Sequence, residues 1–575
     1  MARALVITAL AASIQLAHSQ CTPVDANKSY DYIVIGSGAG GIPIADKLSE
    51  AGKSVLLVEK GPLSSGIWNG TMKPSWLEGT NLTRFDVPGL FNQIWADPTG
   101  VNCPDLDVMA GCVLGGGTAV NSALYWKPHP RDFDLSFPDG WKNSDMQKHV
   151  DTVFKRIPGT TTPSKDGKLY LQQGFDAVGK GLVAGGFKEI IPNDHPDQKN
   201  NTFGHSTFFI ENGERHGPLR TYLATAMERA NFNLLVNTNA RRLVRTGGHV
   251  TGVELECAQG QGRSGIVKVT PGTGRVIVSA GTMGSAKLLF RSGIGPKDQL
   301  DVVKGSALDG STMIASDQWI NLPVGQNLND HVGTDIQISH PSIVFYDFYG
   351  AWNNPVKADA DKYLKERSGI LAQVAPNLGP IAWNQFQGPD GIVRHIQWQA
   401  RIEGRTPTSM TITQYLGTGT VSRGRMTILG NLNTRVSTVP YLRDANDKAV
   451  VIQGIDYIRG ILSKVPDLTW VVPAANQNTT AFVNSVPATV GSRGSNHWVG
   501  SCTIGTDDGR TGGKSVVDLD TKVYGTDNLF VVDASIFPGM MTGNPTAMII
   551  AVAERAAEKI LALKAPASRS RIMRD

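Results

Sequence analysis

The chain has 575 residues, of which 41% are hydrophobic and 18% are charged. A chain of this length can bury a large core, and it is expected to form more than one structural domain. The 55 basic and 50 acidic residues leave a net charge of only +5, and no basic block is interleaved with aromatic residues. Nucleic acid is therefore not an expected partner, and the composition is typical of a globular enzyme.

The N-terminus has the pattern of a secretory signal. Arg3 precedes a mostly apolar run over residues 4–16, and small residues follow at Ala17 and Ser19. This predicts a signal peptide over residues 1–19. The run is too short to span a bilayer and no later run is long enough, so no membrane partner is expected. Five Asn-X-Ser/Thr sequons agree with a secreted, extracellular protein, namely those at Asn27, Asn69, Asn81, Asn200 and Asn478.

The cysteines predict no metal site. The chain contains Cys21, Cys103, Cys112, Cys257 and Cys502, with no CxxC pair, and it contains no HExxH. Zinc-site spacing is therefore absent. In an oxidising compartment a disulfide between Cys103 and Cys112 is favoured, with buried free thiols as the alternative.

A nucleotide-binding unit is predicted near the N-terminus. A β-branched run over residues 32–35 is followed by a glycine-rich loop, a helical stretch to Ala51 and a second apolar run over 55–58. This order is a βαβ unit whose loop can hold a pyrophosphate at a helix N-terminus.

Four residues of this unit have predicted roles. Gly36 permits the tight turn, Gly38 lets the backbone approach a pyrophosphate, and Gly41 allows close packing of helix on strand. Glu59, at the end of the second run, can accept hydrogen bonds from the adenosine ribose. The spacing predicts a dinucleotide but does not separate FAD from NAD.

Three further segments carry a family resemblance. Residues 111–121 have the sequence GCVLGGGTAVN, residues 281–295 contain GTMGS, LL and SGIG, and residues 528–534 are NLFVVDA. Together they resemble the signatures of the glucose-methanol-choline (GMC) oxidoreductases, in the family's order, and the resemblance extends from about residue 30 to about residue 563. Ala286 stands where the family usually has Pro or Ser.

The resemblance implies FAD as cofactor. The expected cofactor-binding residues in or next to these segments are Gly115, Gly116, Thr118, Asn121, Ala280, Asp533 and Ala534. A non-covalent link is expected because no histidine lies within residues 111–121, where some relatives attach FAD; His129 lies outside this segment.

Within the family, residues 110–121 and 495–500 are similar to the flavin domain of cellobiose dehydrogenases. That likeness implies a carbohydrate substrate. Only a short stretch separates the predicted signal peptide from the first flavin-domain strand, so an N-terminal haem domain is not expected.

The resemblance also implies a catalytic pair. His497 is similar to the family's catalytic histidine, and an unperturbed pKa near about 6.5 would suit a general base. Asn544 is similar to its partner and can hold the alcohol oxygen. Because Pro545 and an amphipathic run follow, Asn544 is also expected to cap a helix. Ser495, Asn496 and, from its distance along the chain, Arg401 are candidate substrate contacts, with a plain structural role as the alternative.

The predicted fold class is α/β, with a Rossmann-like FAD-binding domain and a discontinuous α+β substrate domain on an antiparallel sheet. The FAD-binding domain is assigned to residues 29–135, 217–305 and 498–563, the substrate domain to 136–216 and 306–497, and a disordered tail to 564–575. Alternating runs over 396–402 and 410–415 are expected to be strands of that sheet.

Three functions remain open from the sequence. The first is oxidation of the anomeric carbon of a β-linked glucose disaccharide or oligosaccharide to a lactone, with a quinone as an example of the external acceptor. The second is an oxidase or dehydrogenase of aryl or other primary alcohols. The third is a hydroxynitrile lyase, which keeps FAD without using it for redox chemistry.

Overall fold

The computed structural model describes residues 20–564. The predicted signal peptide and, apart from its first residue, the predicted tail lie outside the described residues. The strands are β1 Cys21–Pro23, β2 Ser29–Tyr30, β3 Tyr32–Ile35, β4 Val55–Val58, β5 Lys188–Glu189, β6 Thr202–Gly204, β7 Ile210–Glu211, β8 Glu214–Arg215, β9 Phe232–Leu235, β10 Thr238–Thr246, β11 His249–Cys257, β12 Gly262–Val269, β13 Arg275–Val278, β14 Val332–Ser339, β15 Ile381–Gln387, β16 Val393–Arg401, β17 Ser409–Leu416, β18 Arg425–Ile428, β19 Thr434–Thr438, β20 Thr469–Val472 and β21 Leu529–Val531.

The α-helices are likewise numbered in chain order. They are α1 Gly41–Glu50, α2 Gln93–Ala96, α3 Gly117–Val120, α4 Pro130–Asp134, α5 Asn143–Arg156, α6 Gln173–Ala184, α7 Gly217–Arg220, α8 Tyr222–Met227, α9 Gly281–Arg291, α10 Lys297–Lys304, α11 Lys357–Glu366, α12 Ala445–Leu462, α13 Thr479–Ser485, α14 Val490–Arg493 and α15 Thr546–Ala562. Within residues 20–564, no helix is long and apolar enough to cross a membrane.

A parallel sheet lies at the centre of the nucleotide-binding half. Its strand order is β21-β13-β3-β4-β9, and every neighbouring pair runs parallel. Every residue of β3, β4 and β13 is buried, as expected for a parallel sheet that is covered on both faces. Helix α1 connects β3 to β4 and packs on α15 and α8. The predicted βαβ unit is therefore present.

A larger sheet forms the second layer. Its order is β20-β14-β17-β16-β15-β6-β5, and its pairs are antiparallel except for β5 with β6. The two predicted strands are β16 and β17. Helix α12 covers one face, where Gln414 Nε2 donates to the carbonyl of Val451 at 2.9 Å. On the opposite face, Gln397 and Tyr415 are paired neighbours and lie towards the site described below.

A third sheet ties the N-terminus to the rest of the molecule. Strands β10, β11 and β12 form an antiparallel meander, and β1 and β2 pair in parallel with β12. Cys21 of β1 forms a disulfide with Cys257 of β11 across 236 residues of sequence. The sequence did not predict this pair.

The predicted α/β fold class is confirmed. The strands of the parallel sheet fall within residues 29–135, 217–305 and 498–563, and those of the seven-stranded sheet within 136–216 and 306–497. The assignment of these ranges to two domains stays a prediction.

Candidate active site

A cavity of about 350 Å³ opens where β3 and β13 end. The glycine loop after β3 lines one part of it, and Asn496, His497 and Asn544 line another. Ligands of open α/β sheets bind beyond the carboxyl ends of the strands. The cavity therefore joins the predicted nucleotide loop to the predicted catalytic pair.

The glycine loop has the geometry that a bound pyrophosphate requires. Gly36 has φ +98°, and a Cβ there would lie 2.4 Å from the Ser279 carbonyl oxygen. A Cβ on Gly41 would lie 1.8 Å from the Gly36 carbonyl oxygen, so only glycine allows α1 to pack so closely. Gly38 lines the cavity, and a Cβ added there would meet no protein atom within 4 Å beyond its chain neighbours. The backbone of Gly38 therefore faces the cavity with no side chain between them, which leaves room for a diphosphate.

Two buried acids flank this loop. Glu59 accepts hydrogen bonds from Ser37 N at 3.0 Å and Gly61 N at 2.8 Å. Asp533 accepts from Gly281 N at 2.8 Å and from Ser285 Oγ at 2.6 Å. Burial raises the pKa of both carboxyl groups, against the effect of these hydrogen bonds. Both line the cavity, and their contacts with a cofactor stay predictions.

The segment over residues 111–121 also reaches the cavity, through Gly116, Thr118 and Asn121. Gly115 does not line it; instead its N–H donates to Ser37 Oγ at 3.1 Å. Asn121 Nδ2 donates to Thr546 Oγ1 at 3.2 Å. Ala280 and Ala534 line the cavity as well.

Arg215 supports this segment and was missed in the sequence. Its side chain is buried, and it donates to Asn121 Oδ1 at 3.0 Å and to the Thr118 carbonyl at 3.1 Å. Burial lowers the pKa of the guanidinium to about 9. A lone arginine in the short strand β8 carries no local signal of this role.

A disulfide closes the loop over residues 103–112, which forms part of the cavity wall. Cys103 pairs with Cys112, as predicted. Within the loop, Asp105 forms ion pairs of 2.6 Å with both Lys60 and Lys287, which lower its pKa to about 2 despite its burial. Both sulfurs of Cys103 and Cys112 are used in the bond, so neither is a thiolate that could bind a metal.

The two residues of the predicted catalytic pair are in contact. Asn544 Nδ2 lies 3.1 Å from His497 Nε2. Asn544 Oδ1 accepts from Trp126 Nε1 at 2.8 Å and from Gln397 Nε2 at 3.2 Å. These two donors orient the amide so that its NH2 group is directed at the imidazole.

The pKa expected for His497 was wrong. Burial, and secondarily His331, lower the pKa of His497 well below 6.5. The imidazole is therefore neutral at pH 7 and can accept a proton.

The predicted helix cap at Asn544 was also wrong. Helix α15 begins at Thr546 after Pro545, and no side chain caps its N-terminus. The side chain of Asn544 is used instead by His497, Trp126 and Gln397. The Asn-Pro pair correctly indicated where the helix begins, but the Asn544 side chain does not cap it.

Two of the three candidate substrate residues lie away from the cavity. Asn496 lines it, with φ +59°. Ser495 does not; its Oγ donates to the His331 carbonyl at 2.7 Å. Arg401 does not line it either, and its guanidinium forms ion pairs with Asp335 at 3.2 Å and Glu403 at 3.0 Å. The geometry therefore does not support Ser495 or Arg401 as substrate contacts in this cavity.

The sequence did not predict a role for Asp330 and His331, which precede β14. Both contact His497 or the loop that carries it. Asp330 accepts from His497 N at 2.7 Å and from Ser495 N at 2.8 Å. His331 Nδ1 lies 3.1 Å from His497 Nδ1. Both residues are buried. A polar run over residues 329–331, immediately before the strand, was the available signal.

Comparison with known proteins identifies the family. Models described as GMC oxidoreductase match residues 30–333 and 420–553. An oxygen-dependent choline dehydrogenase from Vibrio vulnificus is 28% identical, with 92% of this chain and 94% of the relative covered. One from Brucella anthropi is 27% identical, with 94% and 97% covered.

Solved structures share the fold. An FAD-dependent oxidoreductase from Chaetomium thermophilum matches with a TM-score of 0.72 and 18% identity, covering 92% of this chain and 99% of that one. A fungal aryl-alcohol oxidase matches with a TM-score of 0.68 and 18% identity, covering 93% and 99%. None of these four proteins is a cellobiose dehydrogenase, so the finer likeness stays a prediction.

Proposed function

Because this chain belongs to the GMC oxidoreductase family of FAD-dependent enzymes, we propose that it oxidises the CH–OH group of an uncharged hydroxyl compound, with His497 as the base. The observation that carries the proposal is the 3.1 Å contact between His497 and Asn544 at the wall of the cavity that also holds the glycine loop. Bound FAD would supply the acceptor of the hydride.

The residues of the chain would divide the remaining work. His497 Nε2 would take the hydroxyl proton as hydride leaves the carbon, because the neutral imidazole described above has a lone pair that can accept it. Asn544 Nδ2 would donate to the alcohol oxygen. The glycine loop, Glu59 and the segment over 111–121 would hold the cofactor without a covalent link.

Helix α15 supports the same reaction electrostatically. Pro545, Thr546 and Ile549 line the cavity, so the N-terminus of the helix faces it. No acidic residue lies in the first turn and no side chain caps it. The positive end of the helix would therefore favour a cofactor that gains negative charge.

The groups around the His497 side chain favour a neutral substrate. Asn544, His331 and Tyr415 surround the ring, and each is uncharged at pH 7. Asp330 is the acidic side chain at this loop; burial raises its pKa to about 7, and its oxygens accept from backbone N–H groups of residues 495–497 and from Tyr441. We therefore place neutral alcohols before a quaternary ammonium compound such as choline.

Among neutral substrates, the first candidate is the anomeric hydroxyl of a β-linked glucose disaccharide or oligosaccharide, which would yield a lactone. The likeness of residues 110–121 and 495–500 to cellobiose dehydrogenases supports it. The second candidate is an aryl or other primary alcohol, which the aromatic rings of Tyr415 and Trp126 around the pair would suit. A quinone is the proposed external electron acceptor.

An anaerobic substrate screen tests the proposal. Purified protein with FAD bound is mixed with cellobiose, an aryl alcohol or choline, and the flavin absorbance is followed. Fastest bleaching by cellobiose supports the first candidate, and fastest bleaching by the aryl alcohol selects the second. Fastest bleaching by choline would refute the neutral-substrate proposal. Absence of bleaching, with release of cyanide from a cyanohydrin, would select the hydroxynitrile lyase.

We further propose that the protein is secreted. The disulfides Cys21–Cys257 and Cys103–Cys112 are typical of an oxidising compartment. All five sequon asparagines are exposed. Both observations support export, which the predicted signal peptide would direct.

A further inference from the structure

His331 lies behind the catalytic histidine, on the side away from Asn544. It is fully buried, and its ring stands nearly perpendicular to that of His497, at 86° with centroids 5.0 Å apart. It has two polar contacts: Nε2 lies 2.8 Å from the Met541 carbonyl oxygen, and Nδ1 lies 3.1 Å from His497 Nδ1. Both ring nitrogens are therefore engaged.

The Met541 contact decides where His331 carries its proton. A carbonyl oxygen can only accept, so His331 Nε2 must carry hydrogen. Asp132 is the charged group that affects the pKa of the His331 ring. Asp132, whose Oδ1 accepts from Thr542 N at 2.8 Å, raises the pKa of His331, as does the Met541 carbonyl. Burial outweighs both and lowers the pKa to about 4, so the ring is neutral at pH 7.

In a neutral His331 with hydrogen on Nε2, Nδ1 is unprotonated and its lone pair can only accept a hydrogen bond. At 3.1 Å from this lone pair, His497 Nδ1 must be the donor, since two lone pairs at this distance would repel. His497, which is also neutral, then has no hydrogen on Nε2. The contact from Asn544 agrees, because an amide NH2 group can only donate to that nitrogen.

The backbone of His497 is fixed independently. Asp330 accepts from His497 N at 2.7 Å and from Ser495 N at 2.8 Å, while Tyr441 donates its hydroxyl to the same carboxylate at 2.9 Å. The imidazole of His497 therefore has little freedom to move away from His331.

We propose that His331 is a positioning residue that holds the proton of His497 on Nδ1 and so keeps Nε2 unprotonated, as a base that takes the substrate's proton must be. The proposal rests on the proposed function in one respect, the role of His497 as base. Free neutral imidazole can carry its proton on either nitrogen, and only one of the two forms is competent here.

Two variants separate this role from a structural one. In His331→Asn the amide oxygen can take the place of Nδ1 and accept from His497, but the contact with Met541 is lost. In His331→Gln the longer amide can keep the contact with Met541, but it offers His497 Nδ1 no acceptor at the original position. FAD content and the thermal midpoint of unfolding show that each variant is folded.

The rate of flavin reduction at saturating substrate is the first measurement. We expect His331→Gln to lose about 100-fold, in the range of a general-base contribution, with little change in KM. His331→Asn should stay within about 10-fold of the parent protein. Full activity in His331→Gln would overturn the proposal.

Nitrogen NMR of protein with isotopically labelled histidine is the second measurement, and it needs no substrate. Comparison with His497→Ala assigns the signals of His497. Hydrogen on Nδ1 supports the proposal, and hydrogen on Nε2 would overturn it. If no alcohol bleaches the flavin of the parent protein, the proposed function fails while the NMR result still decides the tautomer.

Discussion

At the residue scale, the side chain of His497 is restrained on both ring nitrogens and through its backbone N–H. A base restrained in this way loses little entropy when substrate binds. The same burial that restrains it also keeps it neutral. Its position and its pKa can be tested separately.

Substitution His497→Ala should lower the rate of flavin reduction by about 1,000-fold, because the hydroxyl proton loses its acceptor. FAD should stay bound, since the glycine loop and Glu59 are untouched. Stopped-flow reduction and the flavin-to-protein absorbance ratio measure the two effects. The control is His249→Ala, at a partly exposed histidine paired with Asp527; equal losses in both variants would refute a special role for His497.

The pH dependence should show the lowered pKa of His497. A base loses activity when it is protonated, and a depressed pKa moves that loss to lower pH. We expect kcat/KM to stay constant as the pH is lowered through 6.5, the ordinary value for histidine. Steady-state rates across pH 5–8, about the range in which histidine titrates, check this. Burial raises the pKa of Asp330, which accepts from His497 N, to about 7, so the profile is also measured in Asp330→Asn. An acidic limb centred at or above 6.5 that persists in this variant would contradict the burial argument.

The sequence did not predict His331 or Arg215, which support His497 and Asn121, but it did predict His497 and Asn544 as a catalytic pair. Both lie in recognisable local segments. His331 and Arg215 act through contacts between residues 166 and 94 positions apart along the chain, and no local pattern reports such contacts. The lowered pKa of His497 was missed for the same reason, since burial is a property of the folded chain.

At the element scale, the glycines where β3 leads into α1 have two proposed tasks, close packing of the helix and approach of the cofactor. Gly41 faces protein, whereas Gly38 faces the cavity. The unit was predictable because its strand, loop and helix are contiguous in sequence. The pairing of β14 with β17 and of β17 with β16 was not, since pairing partners depend on the whole sheet.

Alanine substitutions separate these two tasks. Gly38→Ala should leave the thermal midpoint of the FAD-free protein unchanged, because its Cβ meets no protein atom, but it should weaken FAD binding by about 100-fold. Gly41→Ala should destabilise the protein by about 3 kcal/mol or more, because its Cβ would clash with the Gly36 carbonyl. Calorimetry and FAD titration measure both. Unchanged FAD affinity in Gly38→Ala would contradict the assigned phosphate site.

At the scale of the whole molecule, the exposed sequons and the disulfides agree with the proposed secretion. Five sequon asparagines are exposed and two disulfides join distant and local segments. The sequence located the sequons and the short disulfide. It did not locate Cys21–Cys257, because 236 residues separate the two cysteines and only the third sheet brings them together.

Expression through a eukaryotic secretory pathway should give N-glycans, because exposed sequons are accessible to the transferase. Even Asn478, whose Oδ1 accepts from Ala481 N at the start of α13, keeps its Nδ2 for the glycan. Treatment with a peptide N-glycosidase should increase the electrophoretic mobility. Thr71→Ala should remove the glycan from Asn69 while keeping that asparagine. No change of mobility on treatment would contradict the secreted assignment.

The two disulfides should have separable effects. Residues 103–112 contribute eight residues to the wall of the cavity, whereas Cys21 and Cys257 lie in the third sheet and do not line it. The double substitution Cys103→Ser with Cys112→Ser should therefore weaken FAD binding by about 10-fold, because the loop would lose conformational order that binding must restore.

The matched control is Cys21→Ser with Cys257→Ser. Its crosslink spans 236 residues against nine for the other, and a longer closed loop restricts the unfolded chain more strongly. We expect it to lower the free energy of unfolding by about 2–5 kcal/mol while FAD affinity stays the same. FAD fluorescence titration and thermal unfolding distinguish the pairs. Equal loss of FAD affinity in both variants would show that the Cys103–Cys112 loop has no special part in holding the cofactor.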